Sequence, residues 1–388
     1  MEKDLKSKTV AQLERLVTGL GQPKYIAGYI FSAIQSRGVT DISAITTLSK
    51  SFRAKLAEEG CYISKLGIVD KLTDPDGTVK YVFGLHDGGR VESVLLFDDD
   101  RRTLCVSTQV GCAMGCVFCA TGRLGLARNL TAGEIVDQVN VVEADGCGCD
   151  ARLVKRRTLN VTDTSRTTGR RVTNVVFMGM GEPLANYDAV LDAVRILNNS
   201  AGRHIGIRHL TMSTCGLVEG IERLAEEDIQ PRLAISLNAP TDAIRQKLMP
   251  ITKKYLLNRL FAVIERYQRT TRNRVTFEYC LIKGVNDTVL HAQMLVKRLH
   301  RVMCNVNLIE YNPPEPLPKG TPHGGGVQGG SEPHVAHCGL KPSGRQAIER
   351  FAGVLKDAGI ETTIRLKMGQ TINAACGQLG SKKTENSE

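Results

Sequence analysis

Cys112, Cys116 and Cys119 stand in the run Gly111-Cys112-Ala113-Met114-Gly115-Cys116-Val117-Phe118-Cys119-Ala120, a C-x3-C-x2-C spacing with an aromatic residue just before the last cysteine. Three thiolates this close can each hold one iron of a cubic [4Fe–4S] cluster, and no fourth cysteine follows at ferredoxin spacing. The fourth iron is then open to a ligand from outside the protein. An iron with a free site can bind an amino and a carboxylate group and pass an electron to what they carry. The competing readings are a structural zinc site and a set of buried thiols. Zinc asks for a fourth Cys or His at finger spacing, and none is placed that way.

A second motif, Phe177-Met178-Gly179-Met180-Gly181-Glu182-Pro183, closes a predicted strand. Glycines such as Gly181 permit close backbone approach to a ligand, and Glu182 can accept hydrogen bonds from an α-ammonium group. Together with the cysteine triplet this suits the methionine end of S-adenosylmethionine (SAM). Ser213, the run Ser236-Leu237-Asn238, and Asn312 end later strands, where polar groups can bind ribose or adenine. Each of these singly is as good a helix cap as a ligand.

Such residues need a scaffold. From about residue 103, strand and helix patterns alternate: strands at 172–177, 209–213, 232–237, 275–281, 305–310 and 361–366, with helices at 132–142, 187–197, 216–226, 256–269, 290–298 and 343–358. Repeated strand-then-helix order means parallel strands with helices outside. The pattern predicts an α/β fold, a partial (β/α)6 TIM-type barrel over 101–380, with chemistry at the C-terminal strand ends. Ahead of it, 1–60 reads as a small helical unit, in which Ser49 can cap a helix at 48–58, and 61–100 as a β extension with turns at Asp74-Pro75-Asp76-Gly77 and Asp87-Gly88-Gly89. Polar or Gly/Pro-rich insertions are expected near 147–170 and 313–339, and a polar tail at 381–388.

The chain has 388 residues, 42% hydrophobic, and a formal net charge of +11. That supports a large core and suits a polyanionic partner, although a merely basic enzyme would look the same. Twelve cysteines without an apolar leader or a membrane-length run point to reduced thiols in the cytoplasm.

The chain resembles the RlmN/Cfr family of radical SAM RNA methyltransferases, and its RlmN branch more closely. The resemblance is carried by Leu104-Cys105 through Gly111-Cys112, Arg128-Asn129-Leu130-Thr131, Gly179-Met180-Gly181-Glu182-Pro183-Leu184, Met249-Pro250-Ile251, Gly284-Val285-Asn286-Asp287 and Ala374-Ala375-Cys376-Gly377-Gln378-Leu379. It implies a [4Fe–4S] cluster on Cys112, Cys116 and Cys119, two SAM per turnover, and methylation of adenine C2 in 23S rRNA and in tRNA. It also implies that Cys376 carries the methyl group and that Cys105 resolves an enzyme–RNA adduct through a transient disulfide. Glu92 would remove the C2 proton. An electron donor such as flavodoxin or ferredoxin, and a monomer, complete the expectation. The C8 chemistry of the Cfr branch and a non-catalytic iron–sulfur RNA-binding protein are the alternatives. Asn238 departs from the family's usual histidine, and Asn373 from a common aspartate.

Overall fold

The computed structural model describes residues 3–146, 171–314, 339–365 and 367–380. The insertion expected at 147–170, most of that at 313–339, and the tail at 381–388 lie outside the described residues.

Three helices come first: α1 (Val10–Gly19), α2 (Ile26–Gln35) and α3 (Lys50–Glu58). Thr9 and Gln12 form a reciprocal capping box at α1, and Ser49 accepts the Phe52 N–H at α3. Leu13, Val17, Ile30, Ile34, Phe52 and Leu56 join the main core. A buried ion pair fastens this unit to the barrel: Lys6 Nζ lies 2.5 Å from Asp137 Oδ1. Asp137 Oδ2 also accepts the Leu66 N–H at 2.8 Å. Removing Lys6 would strand that carboxylate in the core, a cost of about 3–5 kcal/mol.

Four antiparallel strands follow as a meander: β1 (Gly67–Thr73), β2 (Val79–Gly84), β3 (Arg90–Asp98) and β4 (Arg101–Cys105). A small hairpin, β5 (Gln109–Cys112) with β6 (Gly125–Asn129), encloses the four-residue helix α4 (Ala120–Arg123). The chain then runs through α5 (Ala132–Ala144), β7 (Asn174–Phe177), α6 (Tyr187–Asn198), β8 (Leu210–Thr214), α7 (Val218–Glu226) and β9 (Arg232–Ser236). It continues with α8 (Asp242–Leu248), α9 (Leu257–Thr271), β10 (Val275–Leu281), α10 (Val289–Leu299), β11 (Cys304–Glu310), α11 (Arg345–Asp357) and β12 (Glu361–Ile364).

One ten-stranded sheet has the order β1-β2-β3-β4-β7-β8-β9-β10-β11-β12. From β4 to β12 every pairing is parallel. Six crossovers therefore link seven parallel strands, and β1 and β12 remain open edges, so the barrel is partial. The β extension is continuous with the barrel sheet through β4. The β5/β6 hairpin, the short α4 it encloses and the seven-residue α8 were not foreseen. Among the described residues, no helix is long and apolar enough to cross a membrane.

β10 shows how the sheet aims its side chains. Alternate residues Val275, Phe277, Tyr279 and Leu281 are buried. Phe277 stacks on Phe261 of α9 at 5.7 Å, and Tyr279 meets Phe351 of α11 at 5.1 Å. Thr276, Glu278 and Cys280 therefore face the concave interior, on the side away from the helices.

Candidate active site

The cluster loop is built on the hairpin. Gly111 has φ +77°, and a Cβ there would lie 1.9 Å from the Gly125 carbonyl oxygen, so only glycine fits. Cys112 ends β5, and Cys119 donates its N–H to the Cys116 carbonyl at 3.1 Å just before α4. Met114, Cys116, Val117 and Phe118 pack on an apolar patch of Cys215, Leu248, Met249, Ile282 and Tyr311. Burial pushes the Cys112 thiol up to about 12, with Cys119 and Glu182 adding to the rise and the Met114 N–H opposing it. Cys116 is also raised, first by burial and then by Cys119 and Cys112. The three sulfurs are thus mutual neighbours. Three thiols within eight residues are the donor set of a four-iron cluster, which takes one cysteine per iron.

The strand ends come next. A Cβ on Gly179 would lie 2.7 Å from the Val106 backbone, and one on Gly181, at φ +104°, 2.6 Å from the Gln109 side chain. These glycines let the end of β7 close against the segment after β4. Glu182 is buried, and its carboxylate accepts the Leu184 N–H at 3.1 Å and the Cys215 N–H at 2.7 Å. Burial raises its pKa, and those bonds partly offset the rise. The sequence reading gave this carboxylate to an external ammonium group. The structure already engages this carboxylate with two backbone N–H groups and with the Cys215 and Thr214 side chains. Its electrostatic coupling to Cys112 and Cys116 sets it beside the cluster loop.

Ser213 lies near the end of β8 and Ser236 ends β9, both half-buried. Leu237 is buried and donates its N–H to the Glu278 carbonyl at 3.0 Å. Asn312 is buried beyond β11. Asn238 already has partners within the protein. It sits at φ +57°, a region asparagine tolerates. Its Oδ1 accepts the Cys280 N–H at 2.8 Å, and its Nδ2 lies 3.3 Å from Met249 Sδ. Asn238 thus ties the end of β9 to β10.

Sequence reasoning missed Arg245. It is fully buried on α8, and its guanidinium donates to the carbonyls of Cys215, Ser236 and Leu237 and to Thr252 Oγ1. It therefore holds together the chain ends that leave β8 and β9. No local signal marks it, and burial of an arginine runs against its ordinary preference.

The loop 367–380 folds back over the strand ends. Its start is held by the β1–β2 turn: Asp76 accepts the Gly369 N–H, and Asp74 accepts the Thr371 N–H and hydroxyl. Its far end is held by the cluster loop and β3. Ala120 N–H donates to the Gly377 carbonyl at 2.7 Å, Thr121 Oγ1 to the Leu379 carbonyl at 2.8 Å, and Gly380 N–H to Glu92 Oε2 at 3.0 Å. Between these anchors Cys376 is exposed to solvent while protein surrounds it on most sides. Burial raises its pKa, Glu278 raises it further and Arg365 opposes. Cys105 on β4 is raised by burial and then by Cys376. Cys280 is raised by burial and then by Cys376 and Cys119. Cys376 is thus within electrostatic reach of Cys105 on β4, of Cys280 on β10 and of Cys119.

Glu92 is buried on β3 and enters the same region through Gly380. Burial raises its pKa, while Lys80, 3.9 Å away, and the Gly380 N–H pull it down. The nine cysteines among the described residues are free thiols, Cys105 and Cys376 included, so the expected disulfide is not a feature of this state. Glu278, which accepts from Asn307 Nδ2 at 2.8 Å, and Arg365 were not foreseen. Strand alternation alone could have flagged Glu278, with Cys280, as inward.

Comparisons agree with this geometry. A model of the radical SAM superfamily matches residues 106–292. The probable dual-specificity RNA methyltransferase RlmN of Alkaliphilus oremlandii is 41% identical over 388 residues, 100% of both chains. The dual-specificity RNA methyltransferase RlmN of Syntrophobacter fumaroxidans is 41% identical over 375 residues, 97% of each. The crystal structure of a radical SAM methyltransferase from Sphaerobacter thermophilus superposes with a TM-score of 0.81 at 40% identity, covering 98% of this chain and 100% of that one.

Proposed function

The chain belongs to the RlmN family of radical SAM RNA methyltransferases, and from that premise we propose that it methylates C2 of an adenine in the peptidyl transferase centre of 23S rRNA and of the adenine 3′ of the anticodon in tRNA. The observation that carries the reading is the loop 367–380, which hydrogen bonds from Ala120, Thr121 and Gly380 pin to the cluster loop and to Glu92, so that Cys376 is held beside both.

When bound, a [4Fe–4S] cluster on Cys112, Cys116 and Cys119 supplies the electron that turns SAM into a source of a hydrogen-abstracting radical. Glu182, Gly181, Ser213 and Asn312 would line the SAM site, while Ser236, Leu237 and Asn238 shape its floor. Cys376 takes a methyl group from one SAM by direct displacement, which needs its thiolate, and a second SAM is consumed in activating that methyl. Arg365 favours the thiolate and Glu278 opposes it. The activated carbon on Cys376 bonds to adenine C2. Glu92 then removes the C2 proton, a role in which a raised pKa makes the ionised carboxylate a stronger base. Lys80 keeps that ionised form accessible. One electron leaves the adduct for a one-electron carrier of the class that reduces the cluster, Cys105 attacks the Cys376 sulfur to form a disulfide, and the departing methylene takes up a proton, which protonated Glu92 can return, to become the methyl of the released RNA. A thiol reductant restores both cysteines.

The net charge of +11 suits an RNA backbone, and the target base must leave its stack to reach the interior. The electron donor is a protein of the flavodoxin or ferredoxin class, and the enzyme acts as a monomer in the cytoplasm. The test is nucleoside mass spectrometry of rRNA and tRNA from cells with and without the protein. Protein-dependent 2-methyladenosine in both is expected. Only 8-methyladenosine would assign Cfr-type chemistry. Absence of 5′-deoxyadenosine from dithionite-reduced, RNA-supplied enzyme would favour a binding protein.

A further inference from the structure

We propose that the outer flank of the cluster loop is the docking face for the electron donor, a small acidic one-electron carrier protein. The inference rests on the reading that Cys112, Cys116 and Cys119 carry an iron–sulfur cluster.

A cavity of about 290 Å³ lies against the loop, lined among others by Met114, Leu184, Tyr187, Arg223, Lys254 and Tyr255. Met114 sits between Cys112 and Cys116 in sequence. The cavity wall is thus part of the segment that would hold the irons. The other lining comes from the chain after β7, from α7, and from the segment before α9, all on the helical side of the sheet. Glu92, Cys105 and Cys376 do not border it. RNA must reach Cys376 on the concave side, so a carrier on this flank approaches the cluster without competing for that mouth.

The patch has the chemistry of a protein interface. Tyrosine, methionine and arginine are the types enriched at interface centres, and exposed Leu256 adjoins Tyr255. Arg223 lies 3.8 Å over the Tyr187 ring, and Lys254 and Arg259 lie 4.7 and 5.2 Å from the Tyr255 ring. Stacked cations lose little further freedom on docking. Arg223 pairs with Asp188, and Lys254 and Arg259 with Glu219; with exposed Lys253, and with Glu227 bonded to Tyr187, four cations stand against three carboxylates, a small positive excess. That excess steers an acidic partner and speeds its encounter.

The test is the double variant Arg223→Glu with Lys254→Glu, both surface side chains, with a bacterial flavodoxin as the probe. At low ionic strength its affinity for oxidised flavodoxin, by titration calorimetry, should fall about tenfold or more relative to wild type. Formation of 5′-deoxyadenosine driven by reduced flavodoxin should fall in parallel, through a higher KM for flavodoxin. The dithionite-driven rate should stay within about twofold, because a small reductant needs no docking face. Unchanged flavodoxin affinity would overturn the proposal. So would weakened RNA binding with flavodoxin binding intact, which would make the patch an RNA contact. Wild-type protein inactive with dithionite would instead sink the radical chemistry beneath it, a result separable from a docking failure.

Discussion

The cluster loop at 112–119 and the returning loop at 367–380 bring cysteines within electrostatic reach of each other, yet they are built in opposite ways. The first is local. Its three thiols lie within eight residues, on a hairpin whose Gly111 admits no side chain. The second carries one cysteine and is held by distant groups: Asp74 and Asp76 on a turn, Glu92 on β3, and the backbone of Ala120. A metal cluster needs thiols at set separations, which a short rigid segment supplies. A cysteine that exchanges partners during a reaction needs access on one side and neighbours on the others, which a strapped loop supplies. Cys376 is the exposed member of the group, and Cys112 is buried.

The largest expected effect separates the two loops directly. Cys376→Ala should abolish RNA methylation and leave iron and sulfide content at wild-type level, whereas Cys112→Ala should lose both. Equal iron loss in the two variants, measured after anaerobic reconstitution, would erase the distinction.

Cys105→Ala tests the link between Cys376 and β4. It should accumulate protein covalently joined to RNA, seen as a nuclease-sensitive shifted band on a denaturing gel. Free methylated RNA at normal yield would remove Cys105 from the chemistry.

Glu92→Gln should slow turnover by about 10²–10⁴-fold, the usual worth of a general base. In the wild type, adduct resolution should rise with pH as Glu92 ionises. Burial raises its pKa, so the midpoint should lie above that of an ordinary glutamate. The same group works against stability as it ionises: the fold favours its neutral form, and that contribution is lost as pH rises through the raised value. A pH–rate profile for the Gln variant that keeps the same limb would assign it to another group.

Two smaller effects probe the supports. Asn238→Ala leaves the Cys280 N–H without its acceptor and should cost about 1–3 kcal/mol in urea unfolding, with the KM for SAM unchanged. A raised KM at unchanged stability would put Asn238 in the ligand set. Gly377→Ala places a Cβ 3.1 Å from the Phe118 carbonyl at φ +85°, a strain of about 1–2 kcal/mol. It should lower the denaturation midpoint modestly and leave iron content intact if the cluster loop stands by itself.

Much of the scaffold was legible because long amphipathic helices and alternating strands carry their own periodicity; β10 and α9 were placed within a residue or two. The β5/β6 hairpin was not, since strands of four and five residues hold too few apolar positions to show alternation. α8 escaped for a similar reason, being barely two turns long. The place of Asn238 at a strand end is visible in the sequence, and its bond to Cys280 is not. Arg245 went unnoticed because nothing along the chain marks an arginine whose partners are carbonyls on two other strand exits.

The sequence by itself determined which three thiols could share a metal cluster, because residues a few positions apart stay close in any fold that rigidifies them. It also determined the alternation of strand and helix, since side-chain periodicity is a local property. Only the tertiary structure decided that the loop carrying Cys376 is tied to Glu92 through Gly380 and to the cluster loop through Ala120, and that Met114 borders a basic flank. Those neighbours are set by strand order and by a loop folded back over the sheet, and contacts between segments so far apart along the chain leave no trace in the spacing of either one.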